Sequence, residues 1–291
     1  MNEPVPSYEP DGTVFYPVGA KNANPVLANS TSWVSGGVGL YNSLVLDVRR
    51  SFANGIQFRG NYTWSKNLDD GSAWNTSVSG NTPAFVEFPR DPKLDWGPAA
   101  TDVRNAASFN GSYDLPFGAK RRYLNHTSTP VRLLVSGWTA SAIVTVQSGF
   151  PFSPQLGYNP TGNGDTRNPV RPNWNPNFSG RLYSKTVHQY FNPAAFLPPA
   201  AGTYGNVSRD ALTGPGLSEV DFSATRNVHF TERLGLQFRA EFFNVLNHTN
   251  LTTPNEVVYT SASSGVSPTA GLVTATSTTS RQIQFGAKLQ F

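Results

Sequence analysis

The chain has 291 residues, no cysteine, 14% charged residues and a formal net charge of +4, with 22 Lys and Arg against 18 Asp and Glu. The absence of cysteine excludes disulfides and cysteine-based metal sites, and so small a charge gives no argument for a nucleic-acid partner. With 26 glycines, 23 prolines and 12% aromatic residues, the chain is rich in turns, too poor in charge for a helical bundle and too aromatic for disorder.

Seven segments alternate apolar and polar residues with a period of two, which is typical of β-strands with one apolar and one polar face. In the second segment, Phe58, Tyr62 and Trp64 share one face, and Arg59 and Asn61 lie on the other. A helix would require apolar residues three and four positions apart. In chain order, the predicted strands cover residues 38–50, 56–65, 102–115, 133–147, 219–230, 234–242 and 281–291.

The connections between these strands alternate in length. Short or moderate connections cover residues 53–55, 116–132 and 231–233, and Gly55 suits the left-handed position of a three-residue hairpin loop. The long connections cover residues 66–101, 148–218 and 243–280. Long structureless loops are rare in compact soluble domains but normal on one side of an outer-membrane barrel.

A membrane barrel and a soluble β-sandwich share this local pattern, because both have one apolar and one polar face. We favour an antiparallel transmembrane β-barrel, because the predicted strands reach the roughly 9–11 residues that span a bilayer. Strands of globular proteins run to roughly 5–6 residues. No run of 18 apolar residues predicts a transmembrane helix, and the start at Met1 has neither the basic nor the apolar region of a signal peptide.

The C-terminal strand ends in an aromatic residue. Phe285, Leu289 and Phe291 lie on its apolar face. We interpret these three residues as the signal by which the barrel-assembly machinery recognises an outer-membrane protein; the alternative is an ordinary amphipathic strand.

Several sequence blocks occur together in a fixed order over residues 36–291. They include Tyr41-Asn42-Ser43-Leu44, Asn61-Tyr62-Thr63-Trp64-Ser65-Lys66, Asp102-Val103-Arg104, Tyr113-Asp114-Leu115-Pro116-Phe117-Gly118, Tyr190-Phe191-Asn192-Pro193-Ala194-Ala195-Phe196 and Leu236-Gln237-Phe238-Arg239-Ala240-Glu241-Phe242-Phe243-Asn244. With these blocks the chain resembles the C-terminal part of TonB-dependent outer-membrane transporters of the Oar-like type. One departure is Asn105, where the family pattern has a histidine after Asp-Val-Arg.

The resemblance implies a complete barrel of about 22 strands, of which this chain would supply the last seven. The plug and the motif that contacts TonB have no counterpart here, so we expect a fragment that is inactive alone. Residues 1–35 would be the poorly ordered remainder of an external loop, and residues 36–291 the barrel strands and loops. With Phe291 on the periplasmic side, the three long connections become external.

Two sets of residues are candidates for function. The lumen-lining candidates are Asp47, Arg49, Arg59, Arg104, Asp221, Arg239, Glu241 and Lys288. We favour cross-strand ion pairs that hold the strand register over a substrate path. The external-loop candidates are Trp74, Trp96, Trp174, Tyr183, Tyr190 and Phe191, which could stack on a saccharide or siderophore or pack the loops together.

The leading functional hypothesis is uptake of a small-molecule or oligomeric substrate across the bacterial outer membrane. The expected partners are outer-membrane lipid and, only through the missing N-terminal part of the transporter, TonB. The alternatives are a small passive barrel or adhesin and a soluble β-sandwich binding module. We expect no enzyme, cofactor or metal, since the four histidines are far apart in sequence. Asn163 and Asp165 faintly resemble a cation-binding loop that lacks its closing glutamate.

Overall fold

The computed structural model describes residues 2–28, 30, 35–71, 86–119, 121–165, 170–231 and 234–291. Their regular secondary structure is almost entirely β-strand. The long strands are β1 (Gly39–Ala53), β2 (Ile56–Asp69), β3 (Asn105–Asp114), β4 (Trp138–Gln147), β5 (Leu217–His229), β6 (Gly235–Phe243) and β7 (Gln282–Gln290). The helical elements are α1 (Thr129–Val135) and the 3-10 helices Pro92–Asp95 and Pro193–Ala195. Short strands cover Ser7–Tyr8, Val14–Phe15, Gly97–Pro98, Pro151–Phe152, Gln155–Leu156, Asn173–Trp174, Phe196–Leu197, Leu212–Thr213 and Val257–Tyr259.

The seven long strands form one sheet in which spatial order follows chain order. Each strand pairs antiparallel with its predecessor and its successor, from β1 at one edge to β7 at the other. Gly97–Pro98 adds a short pairing at the end of β2. The predicted all-β fold with seven antiparallel strands is therefore confirmed.

The register separates polar from apolar side chains, because directly paired residues share a face. One polar row crosses β2 to β7 through Gln57, Ser112, Ser141, Ser223, Glu241 and Gln284. The neighbouring row on the other face consists of Phe58, Gly111, Ala142, Phe222, Phe242 and Ile283. The alternation of polar and apolar residues in the sequence thus correctly predicts which side chains lie on each face of the sheet.

The apolar face of the sheet is exposed. The large apolar side chains of Leu44, Trp64, Phe109 and Phe285 are all exposed. A soluble β-sandwich buries this face against a second sheet, so the sandwich alternative does not fit the structure. A continuous exposed apolar face is what a lipid-facing barrel wall requires.

Both edge strands of the sheet are solvent-exposed along their whole length. β1 and β7 each have exposed residues at every position, and each pairs with a long strand on one side within the described residues. The residues interpreted as an assembly signal, Phe285, Leu289 and Phe291, are all exposed. Unpaired backbone groups at such edges need a partner in lipid.

The connection before β4 differs from the prediction. Residues 133–135, assigned to a strand from the sequence, belong to α1, and β4 begins at Trp138. A proline in the first turn of α1 favours helix initiation, and Gly137 with φ of 77° ends the segment and redirects the chain. The helix thus takes the first three residues of the expected strand, which begins five residues later than predicted.

The β1–β2 turn is tighter than predicted. Asn54 and Gly55 have φ of 55° and 81°, and Ala53 pairs directly with Ile56. Two consecutive residues with positive φ make the Asn-Gly hairpin turn whose twist matches antiparallel strands. The left-handed Gly55 is confirmed, but the loop has two residues instead of three.

The described parts of the long connections are folded, contrary to the expectation of structureless loops. We call the described residues of 86–104, 148–216 and 244–280 the loop body. Its buried apolar core consists of Phe152, Leu156, Val170, Phe191, Ala195, Phe196, Val207, Leu212, Val258 and Tyr259. Pairings such as Gln155–Leu156 with Val257–Tyr259 join the second and third connections. Burial of these side chains supplies the stability that ordinary external loops lack.

Residues 2–28, part of the segment expected to be poorly ordered, have defined structure. Ser7–Tyr8 pairs with Val14–Phe15 in a hairpin. Tyr16 is buried and its backbone N–H donates to the Gly202 carbonyl at 2.8 Å. Docking on the loop body orders the segment, because its apolar side chains and backbone groups find partners there.

Candidate functional site

The polar face of the sheet carries hydrogen bonds between directly paired side chains. Gln57 Nε2 donates to Ser112 Oγ at 2.9 Å, and Asn61 Nδ2 donates to Ser108 Oγ at 2.9 Å. These bonds link β2 to β3 on the face that also holds most of the predicted lumen-lining residues. The polar side chains therefore reinforce the strand register.

Three predicted lumen-lining residues meet at the β1 side of the sheet. Arg59 Nε donates to Asp47 Oδ2 at 2.9 Å, and Arg49 lies opposite Arg59 in the register. The ion pair is solvent-exposed, so it contributes little to stability. It leaves two guanidinium groups and one carboxylate on this part of the face.

An open hollow of about 550 Å³ lies next to this charged group. Its lining includes Arg49, Arg59, Gln57, Asn110 and Ser112. Guanidinium, amide and hydroxyl groups around one concave surface can bind anionic or hydroxyl-rich molecules through several hydrogen bonds. This hollow is the strongest candidate for ligand contact on the sheet.

A second charged group lies at the β7 side of the sheet. Arg239 Nη1 donates to Glu241 Oε1 at 3.4 Å within β6, and Lys288 is paired with Gln237 in the register. β3, β4 and β5 separate this group from the first. The predicted lumen-lining residues therefore form two clusters instead of one site.

The two remaining lumen-lining candidates have local roles. Arg104 lies just before β3 and pairs with Asp102 at 3.3 Å. Asp221 Oδ1 accepts the backbone N–H of Asn244 at 2.9 Å, which holds the chain where it leaves β6. Local ion pairing and turn capping account for both residues.

Most of the external-loop aromatic candidates pack inside the loop body. Phe191 and Tyr190 are buried, and Tyr183 contacts the Tyr190 ring at a centroid distance of 6.1 Å. Trp174 lies 5.0 Å from Phe196. Of the two roles considered for these residues, loop packing fits Tyr190 and Phe191, because their buried rings offer no face to a ligand, whereas Trp174 and Tyr183 are half-buried. Trp96 is exposed, and Trp74 lies outside the described residues.

The centre of the loop body is a buried ionic cluster around Arg171, whose side chain is 2% exposed. Arg171 pairs with Glu87 and donates from Nη1 to Asp95 Oδ1 at 2.6 Å. Its Nε donates to the Val207 carbonyl at 2.9 Å. A buried guanidinium with nearly all donors used is stable only while its partners remain.

A second buried arginine ties the loop body to the sheet. Arg209 pairs with Asp69 at the end of β2, and its Nε donates to the Asp95 carbonyl at 2.9 Å. The adjacent Asp210 accepts from Ser153 Oγ at 3.1 Å. The first and second long connections are therefore fixed to each other and to the end of β2.

The ionic cluster contains more carboxylates than guanidiniums, and burial changes the protonation of two of these carboxyl groups. Burial raises the pKa of Glu87 to about 7, against the opposing effect of the Arg171 guanidinium. Burial also raises the pKa of Asp210 to about 6, against the effect of Arg209. With Asp69 and Asp95, four carboxyls share two guanidiniums, so proton uptake by Glu87 and Asp210 relieves buried negative charge.

Sequence reasoning missed this cluster. Arg171 and Asp95 are 76 positions apart, and Arg209 and Asp69 are 140 positions apart. No local periodicity marks such pairs. The available signal is the presence of charged residues inside Pro- and Gly-rich connections of a charge-poor chain. This signal does not identify which residues pair with each other.

Within the described part of the chain, no group of three or more His, Asp or Glu side chains has the arrangement of a metal site. No helix among those residues combines the length and apolar character needed to cross a bilayer.

A protein family described as "Outer membrane beta barrel domain" has a sequence profile that matches residues 1–284. The corresponding comparisons with curated proteins and with solved structures give no match. The family agrees with the two observations that define the sheet: long antiparallel strands and an exposed apolar face.

Proposed function

We propose that this chain, which belongs to the family of outer membrane beta barrel domains, forms the C-terminal barrel wall of a TonB-dependent transporter of the Oar-like type. The family places the chain in the bacterial outer membrane. The observation that carries the proposal is a sheet with two exposed edge strands beneath a folded loop body. The Oar-like sequence blocks supply the family type.

Strand direction supports a larger barrel. In a meander of seven strands, β1 and β7 run in the same direction. A direct closure of β1 on β7 would be parallel, so antiparallel closure needs an odd number of additional strands. A barrel of about 22 strands would add about 15 strands to these seven, and an even total meets the requirement for an odd number of added strands. A small passive barrel made of this sheet alone lacks that closure.

In the proposed transporter, substrate first contacts the loop body and then the hollow beside Arg49 and Arg59. The role is non-enzymatic: this chain supplies binding surface and wall. Movement through the barrel would depend on a plug and on TonB contact, which lie outside the proposed segment. Alone, the chain is expected not to transport.

The C-terminal strand supports the proposed assembly route. Phe291 is 98% exposed next to the exposed edge of β7, so both its ring and the β7 backbone are accessible to the assembly machinery. Pairing of an exposed strand edge with another strand is a general mode of recognition.

Two measurements test the proposal. The isolated chain, refolded in detergent and added to planar bilayers, should give no discrete, stable conductance. The coding DNA upstream of the Met1 codon should continue in frame into further alternating strands and a plug. A stable unitary pore from the isolated chain, together with an in-frame stop codon directly upstream, would establish the passive-barrel alternative instead.

A further inference from the structure

The connection between β3 and β4 is strongly basic. Residues 115–135 contain Lys120, Arg121, Arg122 and Arg132 and no acidic residue. Among the described residues, Leu134 is 67% exposed, and Val131 and Leu124 are also exposed. This turn therefore combines positive charge with apolar side chains that the rest of the described chain leaves uncovered.

Helix α1 is attached to the apolar face of the sheet. Trp138 Nε1 donates to the Leu134 carbonyl at 2.9 Å, and the Trp138 ring meets Phe238 edge-on at 6.1 Å. Arg226 lies opposite Trp138 and Phe238 in the register, on the same apolar face, with its guanidinium 5.9 Å from the Trp138 ring. Leu134 thus continues the lipid-facing surface beyond the strand ends.

The first half of the turn repeats this arrangement of arginine and aromatic ring. Arg122 lies over the Tyr123 ring at 5.4 Å, and Tyr123 packs on Phe117 at 6.0 Å. Backbone bonds between Gly118 and Tyr123 and between Tyr123 and Pro116 hold these rings together. Arg121 is 3.8 Å from Asp114, which neutralises one charge and leaves the turn basic.

We propose that this turn is a contact site for the phosphate head groups of anionic phospholipids in the periplasmic leaflet. Leu134 and Val131 enter the acyl boundary, and the guanidiniums of Arg122, Arg132 and Arg226 reach the phosphates. At a bilayer boundary, apolar and aromatic side chains enter the acyl region while arginine side chains extend to the head groups. A guanidinium group binds phosphate through paired N–H donors. The inference rests on the outer-membrane family and is independent of transport.

The absence of cysteine allows a site-specific test with the full chain in liposomes. Leu134→Cys is labelled with an environment-sensitive fluorophore. Leu246→Cys, at a 70% exposed leucine at the opposite end of the sheet, is the matched control. Quenching by spin-labelled phosphatidylglycerol is compared with quenching by spin-labelled phosphatidylcholine. Position 134 should show enrichment of phosphatidylglycerol, roughly fivefold for each arginine in contact, and position 246 should show none.

Charge variants identify the side chains responsible. R122Q/R132Q in the Leu134→Cys background should lower the enrichment roughly 25-fold, fivefold for each arginine removed, whereas the exposed loop-body pair R181Q/K185Q should leave it unchanged. Raising the salt concentration should also reduce the phosphatidylglycerol enrichment of the chain with its native arginines. This second measurement tests the proposal even if R122Q/R132Q does not fold. Equal quenching by the two lipids, a label at 134 that remains in water, or equal losses in both double variants would overturn the proposal.

Discussion

Arg171 donates from Nη1 to Asp95 Oδ1 at 2.6 Å inside the loop body, across 76 positions of sequence. Asp95 Oδ2 in turn accepts the backbone N–H of Glu87 at 2.6 Å, and Glu87 pairs with the same arginine. The three residues, with the Glu87 backbone N–H closing the ring, form one unit of buried charge. The fold of the long connections depends on this unit, because each member is costly to bury without the others.

Arg171→Met should therefore destabilise the loop body strongly. The change leaves Glu87 and Asp95 buried without their cation, which costs roughly 3–5 kcal/mol. Arg59→Met is the control, since its ion pair with Asp47 is solvent-exposed and is worth about 0–1 kcal/mol. Urea unfolding of the refolded chain, with limited proteolysis of residues 148–216, measures both. Equal stability of the two variants would contradict a central role for Arg171.

The loop body should lose stability as pH rises from 5 to 8. The folded-state pKa values, about 7 for Glu87 and about 6 for Asp210, exceed the ordinary values of 4.5 and 3.8. The folded state thus binds these two protons more tightly than the unfolded state does. The resulting stabilisation is complete at pH values below the ordinary pKa values, and it is lost as the pH rises through the folded-state pKa values of about 6 and about 7. Amide hydrogen exchange of residues 148–216, corrected for its intrinsic pH dependence, should be faster at pH 8, and Glu87→Gln should reduce the difference. Stronger protection at pH 8 would reverse the expected sign.

Gly205→Ala should loosen the contact between two segments of the loop body. A Cβ at position 205 would overlap the carbonyl oxygens of Arg171 and Pro172, and forced backbone shifts of this kind cost roughly 1–3 kcal/mol. Gly265→Ala is the matched control, because nothing lies within 4 Å of a Cβ there. Thermal unfolding should separate the two variants, and similar midpoints would show that the backbone at 205 moves freely.

Tyr16→Ala should release the N-terminal hairpin. Tyr16 is buried, its ring meets the Tyr204 ring at 6.0 Å and its hydroxyl lies 3.3 Å from the Tyr204 hydroxyl. Loss of a buried aromatic ring costs roughly 3–5 kcal/mol, so protease cleavage before residue 28 should accelerate. Tyr8→Ala, at an exposed tyrosine of the same hairpin, should leave the cleavage rate unchanged. Comparable rates in both variants would mean that Tyr16 does not anchor the segment.

Deletion of Phe291 should lower the amount of chain assembled in the outer membrane several-fold, if the C-terminal strand is the assembly signal. Phe52→Ala removes another exposed aromatic side chain, at the end of β1, and should have a smaller effect. Membrane fractions from cells that express each variant provide the measurement. Normal assembly without Phe291 would assign recognition to another segment.

The strands and their faces were predictable because a period of two is a local property. Residues 56–65 alternate in the sequence, and β2 begins at Ile56 and presents Phe58 and Arg59 to opposite faces. The helix α1 was not predicted, because its first four residues lie in the segment interpreted as a connection and its last three continued the apolar pattern of the following strand. Short apolar runs do not distinguish the two.

The sequence by itself determined seven strands, their order along the chain and the side chains on each face, since neighbouring residues alone set strand alternation. Only the tertiary structure decided that the long connections fold into one body, that Tyr190 and Phe191 are buried within it, and that Arg171 meets Asp95. These contacts join residues far apart in sequence, and the desolvation that makes them important exists only once the chain encloses them.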